Sequence, residues 1–196
     1  MSDRRGRRPE TRVVRAAQNI SRMCLVCGTD NACGLHARFY VLEAEAPAAG
    51  EAPAAAELLG VFTPGSEHQS YPGRLHGGIS SAIVDETIGR AILIDHPDVW
   101  GVTAEFTVRF RAPVPLAGEV RTVARITRDT SRLFEGSGEI VLDDGTIAVE
   151  GRGRYLKMRL DDIAPEMMRD TEWFPDTRER PHEVEIQVAA RRTTWG

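Results

Sequence analysis

Residues 71–94, YPGRLHGGISSAIVDETIGRAILI, decide how the rest of the chain is read. Pro72, Gly73, Gly77 and Gly78 break up regular structure, and the residues after them can run without interruption for about five helical turns. The spacing predicts a helix that starts near Gly78. A helix start without bulky side chains presents backbone N–H groups and the positive end of the helix dipole. Asp85 lies nine residues after His76, with Glu86 beside it. The stretch therefore combines a site for an electron-rich oxygen at the helix tip with a carboxylate two turns further in.

Upstream, Val13, Ala16, Ala17, Ile20 and Met23 recur at three- and four-residue intervals, which predicts a short amphipathic helix over 12–23. Before it, Arg4, Arg5, Arg7, Arg8 and Arg12 make a basic segment. On a chain of net charge -4 this reads as a solvated tail rather than a nucleic-acid arm. In CLVCGTDNACGLHARFY (24–40), Cys24, Cys27, Cys33 and His36 admit two readings: a zinc tetrahedron or a tight loop of small residues feeding a strand. The compressed second half favours the loop, and no metal or other cofactor is expected. HARFYVLEAE and ELLGVFT flank an Ala/Pro/Glu-rich exposed loop and pair as a hairpin.

Downstream, VTAEFTVRFRAPVPL (102–116) alternates. Val102, Ala104, Phe106, Val108 and Phe110 are expected on one face, with Thr103, Glu105, Thr107, Arg109 and Arg111 on the other. Strands over GEVRTVARITRD and over LFEGSGEIVLDDGTIAVEGRGRYLKM come next, the last two joined at Asp-Asp-Gly. Gly136, Gly138, Gly151 and Gly153 predict bends or bulges. One long helix among antiparallel strands is an α+β architecture. The organisation expected is a basic tail and short helix (1–23), a core domain (24–158) and a C-terminal extension (159–196) with a short helix around Glu166–Trp173.

No apolar run reaches the length of a membrane span, and the basic N-terminus lacks the apolar stretch of a secretory signal. Three cysteines fit a reducing compartment, so a cytoplasmic location without membrane or nucleic-acid partners is expected.

HGGISSAIVDETIGRAI resembles the signature of PaaI-like thioesterases. CLVCGTDNACGLHARFY, EHQSYPGRLHGG and VTAEFTVRFRAPVPL resemble the family's segments in the same order, together spanning about residues 24–157. The resemblance implies the hotdog fold, a long central helix wrapped by a curved antiparallel sheet. It also implies a homodimer or homotetramer with acyl-CoA sites between subunits, and a catalytic carboxylate at the position of Asp85. Thr103 of a partner subunit would orient the water. Where some members carry an Asn before His-Gly-Gly, this chain has Gln69 and Ser70.

On this reading Gly77 and Gly78 bind the oxyanion, His76 orients the loop or touches the carbonyl, and Asp85 acts as base or as nucleophile. Glu86 assists, and Arg109 and Arg111 meet CoA phosphates. Ser81 and Gly89 flank Asp85 one turn either way and leave room beside it. The alternatives are a non-catalytic acyl-CoA-binding protein and a hydratase or dehydratase of the same fold. The latter is disfavoured because no His follows Asp85 within the helix.

Overall fold

The computed structural model describes residues 9–44, 55–163 and 172–187. Residues 1–8 of the basic segment, residues 45–54 of the Ala/Pro/Glu-rich loop and residues 166–171 of the expected C-terminal helix lie outside the described residues.

In chain order the elements are β1 (Pro9–Ala17), β2 (Ile20–Ser21), β3 (Arg38–Leu42), β4 (Glu57–Phe62), α1 (Gly77–Ala91), β5 (Val99–Phe110), β6 (Val120–Asp129), β7 (Leu133–Val141), β8 (Ile147–Arg159), α2 (Leu160–Ile163), β9 (Trp173–Phe174) and β10 (Glu183–Gln187). Eight strands form one antiparallel sheet in the order β10-β1-β3-β4-β6-β7-β8-β5, with β5 as a free outer strand among the described residues. The expected α+β hotdog arrangement, one long helix against a large antiparallel sheet, is the one observed.

The helix starts as the glycines predict. His76 is the N-cap, in extended backbone, and its Nδ1 accepts the Gly78 N–H. Ile83, Val84, Thr87, Ile88 and Ala91 are buried against the sheet. Burying each of the larger aliphatic side chains contributes roughly 1.5–3 kcal/mol.

The four strand glycines do more than loosen the strands: the expected bulge is present opposite Gly136, where the β6–β7 register shifts between Ile126 and Arg128. Gly136 pairs with Gly153 and Gly138 with Gly151, and all four face α1 or its neighbours. A Cβ on Gly136 would stand 2.5 Å from Ile88, and one on Gly151 2.6 Å from Val84. They are the flat patch on which the helix rests, and the register shift of the β7–β8 pair falls elsewhere, between Ile140 and Val141. At the Asp-Asp-Gly turn, Gly145 takes φ 78°, as a tight hairpin requires.

The helix expected over 12–23 is not formed. Residues 9–17 make β1, which pairs with β10 through Pro9–Val13 and with β3 through Val14–Ala17. Within β1, Arg12 and Val14 are buried at a two-residue spacing, and sheet pairing overrides the three-and-four spacing of the apolar residues. Val14, Tyr40, Leu42, Leu59, Val123 and Ile186 close a second, smaller core on the face of the sheet away from α1.

The Cys-rich segment is the packing loop. Gly28 N donates to Cys24 O, Gly34 N to Asn31 O and His36 Nδ1 to Gly28 O, while Cys33 is exposed. Cys33 and His36 do not join Cys24 and Cys27, so a four-ligand tetrahedron is not assembled. Among the described residues, no helix is long and apolar enough to cross a membrane.

Candidate active site

The site builds up from the middle of α1. Asp85 sits two turns in, on the side of the helix facing β5 and β8. Tyr155 Oη donates to Asp85 Oδ1 at 2.9 Å, and Thr103 Oγ1 lies 3.1 Å from Oδ1 and 3.2 Å from Oδ2. One carboxylate is thus gripped by two hydroxyls, one from each neighbouring strand.

Thr103 reaches Asp85 within the same chain, where the resemblance implied a partner subunit. The reason is a β-bulge. The β5–β8 register runs Thr103↔Tyr155 and then Glu105↔Arg154, leaving Ala104 as the extra residue. The bulge inverts the alternation, so Gly101 and Thr103 face the helix before it, and Phe106 packs beside Val84 and the core after it. The single unbroken face expected for Val102 through Phe110 is therefore split at Ala104.

Two glycines make room for the aromatic partner. The Tyr155 ring lies over Gly153 and beside Gly89, and it stacks on Phe134 with centroids 4.9 Å apart. Gly101 in turn accommodates Phe134, because a Cβ there would meet the ring at 2.5 Å.

Burial raises the Asp85 carboxyl above the ordinary carboxylate range. The hydrogen bonds from Tyr155 and Thr103 oppose the rise, and the charge of Glu86 adds to it. Tyr155 is raised as well, by burial and by the Asp85 carboxylate it serves, so it remains a donor through neutral pH. A cavity of about 60 Å³ adjoins Asp85, Thr103, Tyr155, Gly101 and Trp100. That is space for a water or two, and far below the roughly 300 Å³ at which ligand pockets begin. A carboxylate with a raised affinity for protons beside a water-sized space can abstract a proton from water.

His76, Gly77, Gly78, Gln69 and Ser70 gather at the helix start. His76 N donates to His68 O, Gln69 Oε1 accepts from Gly73 N at 2.8 Å, and Ser70 N donates to Arg74 O. Gln69 and Ser70 are exposed. A Cβ on Gly77 would stand 3.4 Å from the Phe110 ring, which covers that side of the tip. Gly78 N–H, expected to be open to a ligand, is engaged by His76 Nδ1 at 2.9 Å.

Glu86 turns to Arg90, Oε1 to Nε 2.7 Å, and does not join the hydroxyls on Asp85. Arg111 pairs with Glu150 at 2.7 Å, and Arg109 stands opposite Glu150 in the β5–β8 register. A larger cavity of about 380 Å³ opens on the outer face of the sheet. Within it Arg154 pairs with Glu105 at 3.3 Å and with Glu135 at 3.6 Å, and it takes no part in the arrangement around Asp85.

The candidates therefore separate into the group around Asp85 in the middle of α1 and the group at its start, with Arg109 and Arg111 apart from both. Seven residues separate Gly78 from Asp85, about 10 Å along the axis.

Residues 72–149 match the Thioesterase superfamily. The matched segment contains α1, Asp85 and Thr103 but ends before Tyr155. Among solved structures, a thioesterase superfamily protein aligns with TM-score 0.56 at 24% identity, over 70% of this chain and 61% of that one. A thioesterase from Haemophilus influenzae aligns with TM-score 0.53 at 16% identity, over 68% of this chain and 86% of its own. Zebrafish thioesterase superfamily member 2 aligns with TM-score 0.51 at 18% identity, over 66% and 86%. At these identities the likeness is one of fold. The chain spans 61% of the length of the first of these structures. No curated protein sequence matches the chain.

Sequence reasoning missed Tyr155. The signal was present in β8, where Gly151, Gly153 and Tyr155 alternate with Arg152 and Arg154, putting an aromatic at the end of a side-chain-free strip.

Proposed function

We propose that the chain hydrolyses acyl-CoA thioesters, with Asp85 as the general base. The match of residues 72–149 supports thioester hydrolysis in general. The observation that carries the assignment to Asp85 is the grip of Tyr155 and Thr103 on one half-buried carboxylate next to a water-sized space.

In the proposed reaction Asp85 takes a proton from water as the oxygen attacks the thioester carbonyl. The C–S bond then breaks, and the leaving thiolate takes up a proton. Tyr155 and Thr103 hold the carboxylate in place while it changes charge. The carbonyl oxygen needs donors within about 3 Å at the same moment, and the helix start of the same chain is about 10 Å away. The donors would therefore come from the His76–Gly78 start of a second copy, which gives a site shared between subunits. The free outer edge of β5 supports that assembly: two such edges can pair into one continuous sheet. At the tip, the thioester oxygen would replace His76 Nδ1 as the acceptor for Gly78 N–H.

The test is hydrolysis of a panel of acyl- and aryl-CoAs read as free thiol. Asp85→Ala is expected to lower kcat/KM about 10²–10⁴-fold. Equal rates for it and the wild type across the panel would sink the assignment. Mixing Asp85→Ala with Gly78→Val, each inactive alone, is expected to restore activity, because a mixed dimer carries one intact shared site. No recovery in confirmed mixed dimers would rule out sharing.

A further inference from the structure

A second cluster of reactive groups lies on another face of α1, against the loop that precedes β3. The sulfurs of Cys24 and Cys27 and a carboxylate oxygen of Glu86 lie within 4.8 Å of one another. Both cysteines belong to a single turn closed by Gly28 N on Cys24 O at 2.9 Å. A Cβ on Gly28 would stand 2.3 Å from that oxygen, so the residue after the second cysteine has to be glycine for the sulfurs to meet.

Two thiols and a carboxylate form a metal-ligand set, but a cation already fills the position. The buried Arg90 guanidinium donates to Glu86 Oε1 at 2.7 Å, Cys27 Sγ at 2.9 Å and Asn19 O at 2.8 Å. It is clamped between the rings of Phe39 and Trp173, at 4.4 Å and 4.6 Å from their centroids. A divalent ion there would abut a buried like charge.

The arrangement serves a thiolate instead. Cys24 Sγ accepts the backbone N–H of Val26 at 3.3 Å and of Cys27 at 3.5 Å. The hydrogen bond from the Cys27 thiol is the largest influence and, with those amides, holds Cys24 at about 6 against burial and the Glu86 charge. Cys27 is raised, as the donor of that bond and by burial, with Arg90 pulling the other way. Cys24 is half-buried and Cys27 fully buried. The outer sulfur is therefore the nucleophile and the inner one is positioned to follow.

We propose that Cys24 and Cys27 are a reversible thiol pair that closes to a disulfide when Cys24 meets a hydroperoxide. Cys24 thiolate attacks the terminal peroxide oxygen, the O–O bond breaks and the alkoxide leaves (hydroxide where the oxidant is hydrogen peroxide), giving a sulfenic acid. Cys27 sulfur then attacks Cys24 sulfur, the S–O bond breaks and water departs with the Cys27 proton. Two electrons pass from the two sulfurs to the peroxide. Closing the bond to about 2.05 Å draws Cys27 Sγ off Arg90. Arg90 is packed on Trp173, and Trp173 meets Trp100 edge-on at 4.6 Å beside the Asp85 cavity. Oxidation is thereby coupled to that cavity. None of this depends on the thioester reading.

The test uses the reduced full chain, hydrogen peroxide, alkylation of remaining thiols and mass spectrometry. Residues 23–38 form one tryptic peptide that holds all three cysteines, so Cys33→Ser is run alongside wild type. In both, the expected product is a Cys24–Cys27 bond, seen as loss of two hydrogens and reversed by dithiothreitol. Alkylation of Cys24 by iodoacetamide is expected to rise with a midpoint of about 6, and tryptophan emission to shift on oxidation and return on reduction. A Cys33→Ser chain that stays fully reduced, or that passes straight to sulfonic acid, overturns the pair. So does one tightly held zinc per chain that blocks both thiols until it is chelated. Unchanged tryptophan emission on formation of the disulfide overturns the coupling to the cavity.

Discussion

The two ends of the first three turns of α1 are built on opposite principles. At its start the side-chain hydrogen bonds are local: His76 caps Gly78 two residues on, and Gln69 folds back onto Gly73. In the middle, Asp85 is fixed by Thr103, eighteen residues away, and by Tyr155, seventy residues away. The start is exposed and shaped by backbone. The middle is half-buried and shaped by side chains that two strands deliver. The difference is energetic as well as geometric. A cap satisfies groups that water would otherwise satisfy, whereas a carboxylate drawn out of water has to be stabilised by donors from elsewhere in the fold.

The most direct way to break this comparison is at Tyr155. Tyr155→Phe keeps the ring on Phe134 and removes only the donor, so it is expected to lower kcat about tenfold, less than the roughly 10²–10⁴-fold of the base itself because the base stays in place. The Tyr155 bond lowers the Asp85 pKa, so its loss raises it, and the acid limb of the pH–rate profile is expected to move to higher pH. A slower enzyme with an unmoved profile would mean that Tyr155 acts only through packing.

The cost of the buried charge is tested by Asp85→Asn. Because the folded carboxyl is raised above its unfolded value, the folded state binds the proton more tightly. The ionised group is then a net cost at neutral pH, relieved as pH falls through the raised value. Asp85→Asn is expected to be inactive yet to melt a few degrees above wild type at pH 7, with the gap closing in acid. A lower melting temperature for the Asn variant at pH 7 would refute that reading.

The smallest effect belongs to the helix start. His76→Ala is expected to cost about 1 kcal/mol in chemical denaturation, with His76→Asn recovering most of it because Asn also caps. Equal stability for the Ala variant and wild type would show that the cap on Gly78 is dispensable.

How legible these regions were in the sequence obeys the same division. The helix start, the length of α1 and the four strands β5–β8 come from turn residues and periodicity over short windows, which neighbours in sequence control. The apolar residues of β1 fall at helical spacing, and only its pairing with β3 and β10 overrides that local signal. The glycines of β7 and β8 announced something unusual but not what it was, since the helix that presses on them lies far away in the chain.

By itself, then, the sequence determined that a glycine-opened helix carries Asp85 two turns in and that an antiparallel sheet is available to receive it. Tertiary structure alone decided what holds that carboxylate. One extra residue at Ala104 turns Thr103 toward the helix, and the bare strip ending at Gly153 lets Tyr155 lie under it. A bulge leaves no periodic trace, because alternation on either side of it remains intact, and a buried carboxylate takes its partners from whichever strands the fold brings within hydrogen-bonding distance.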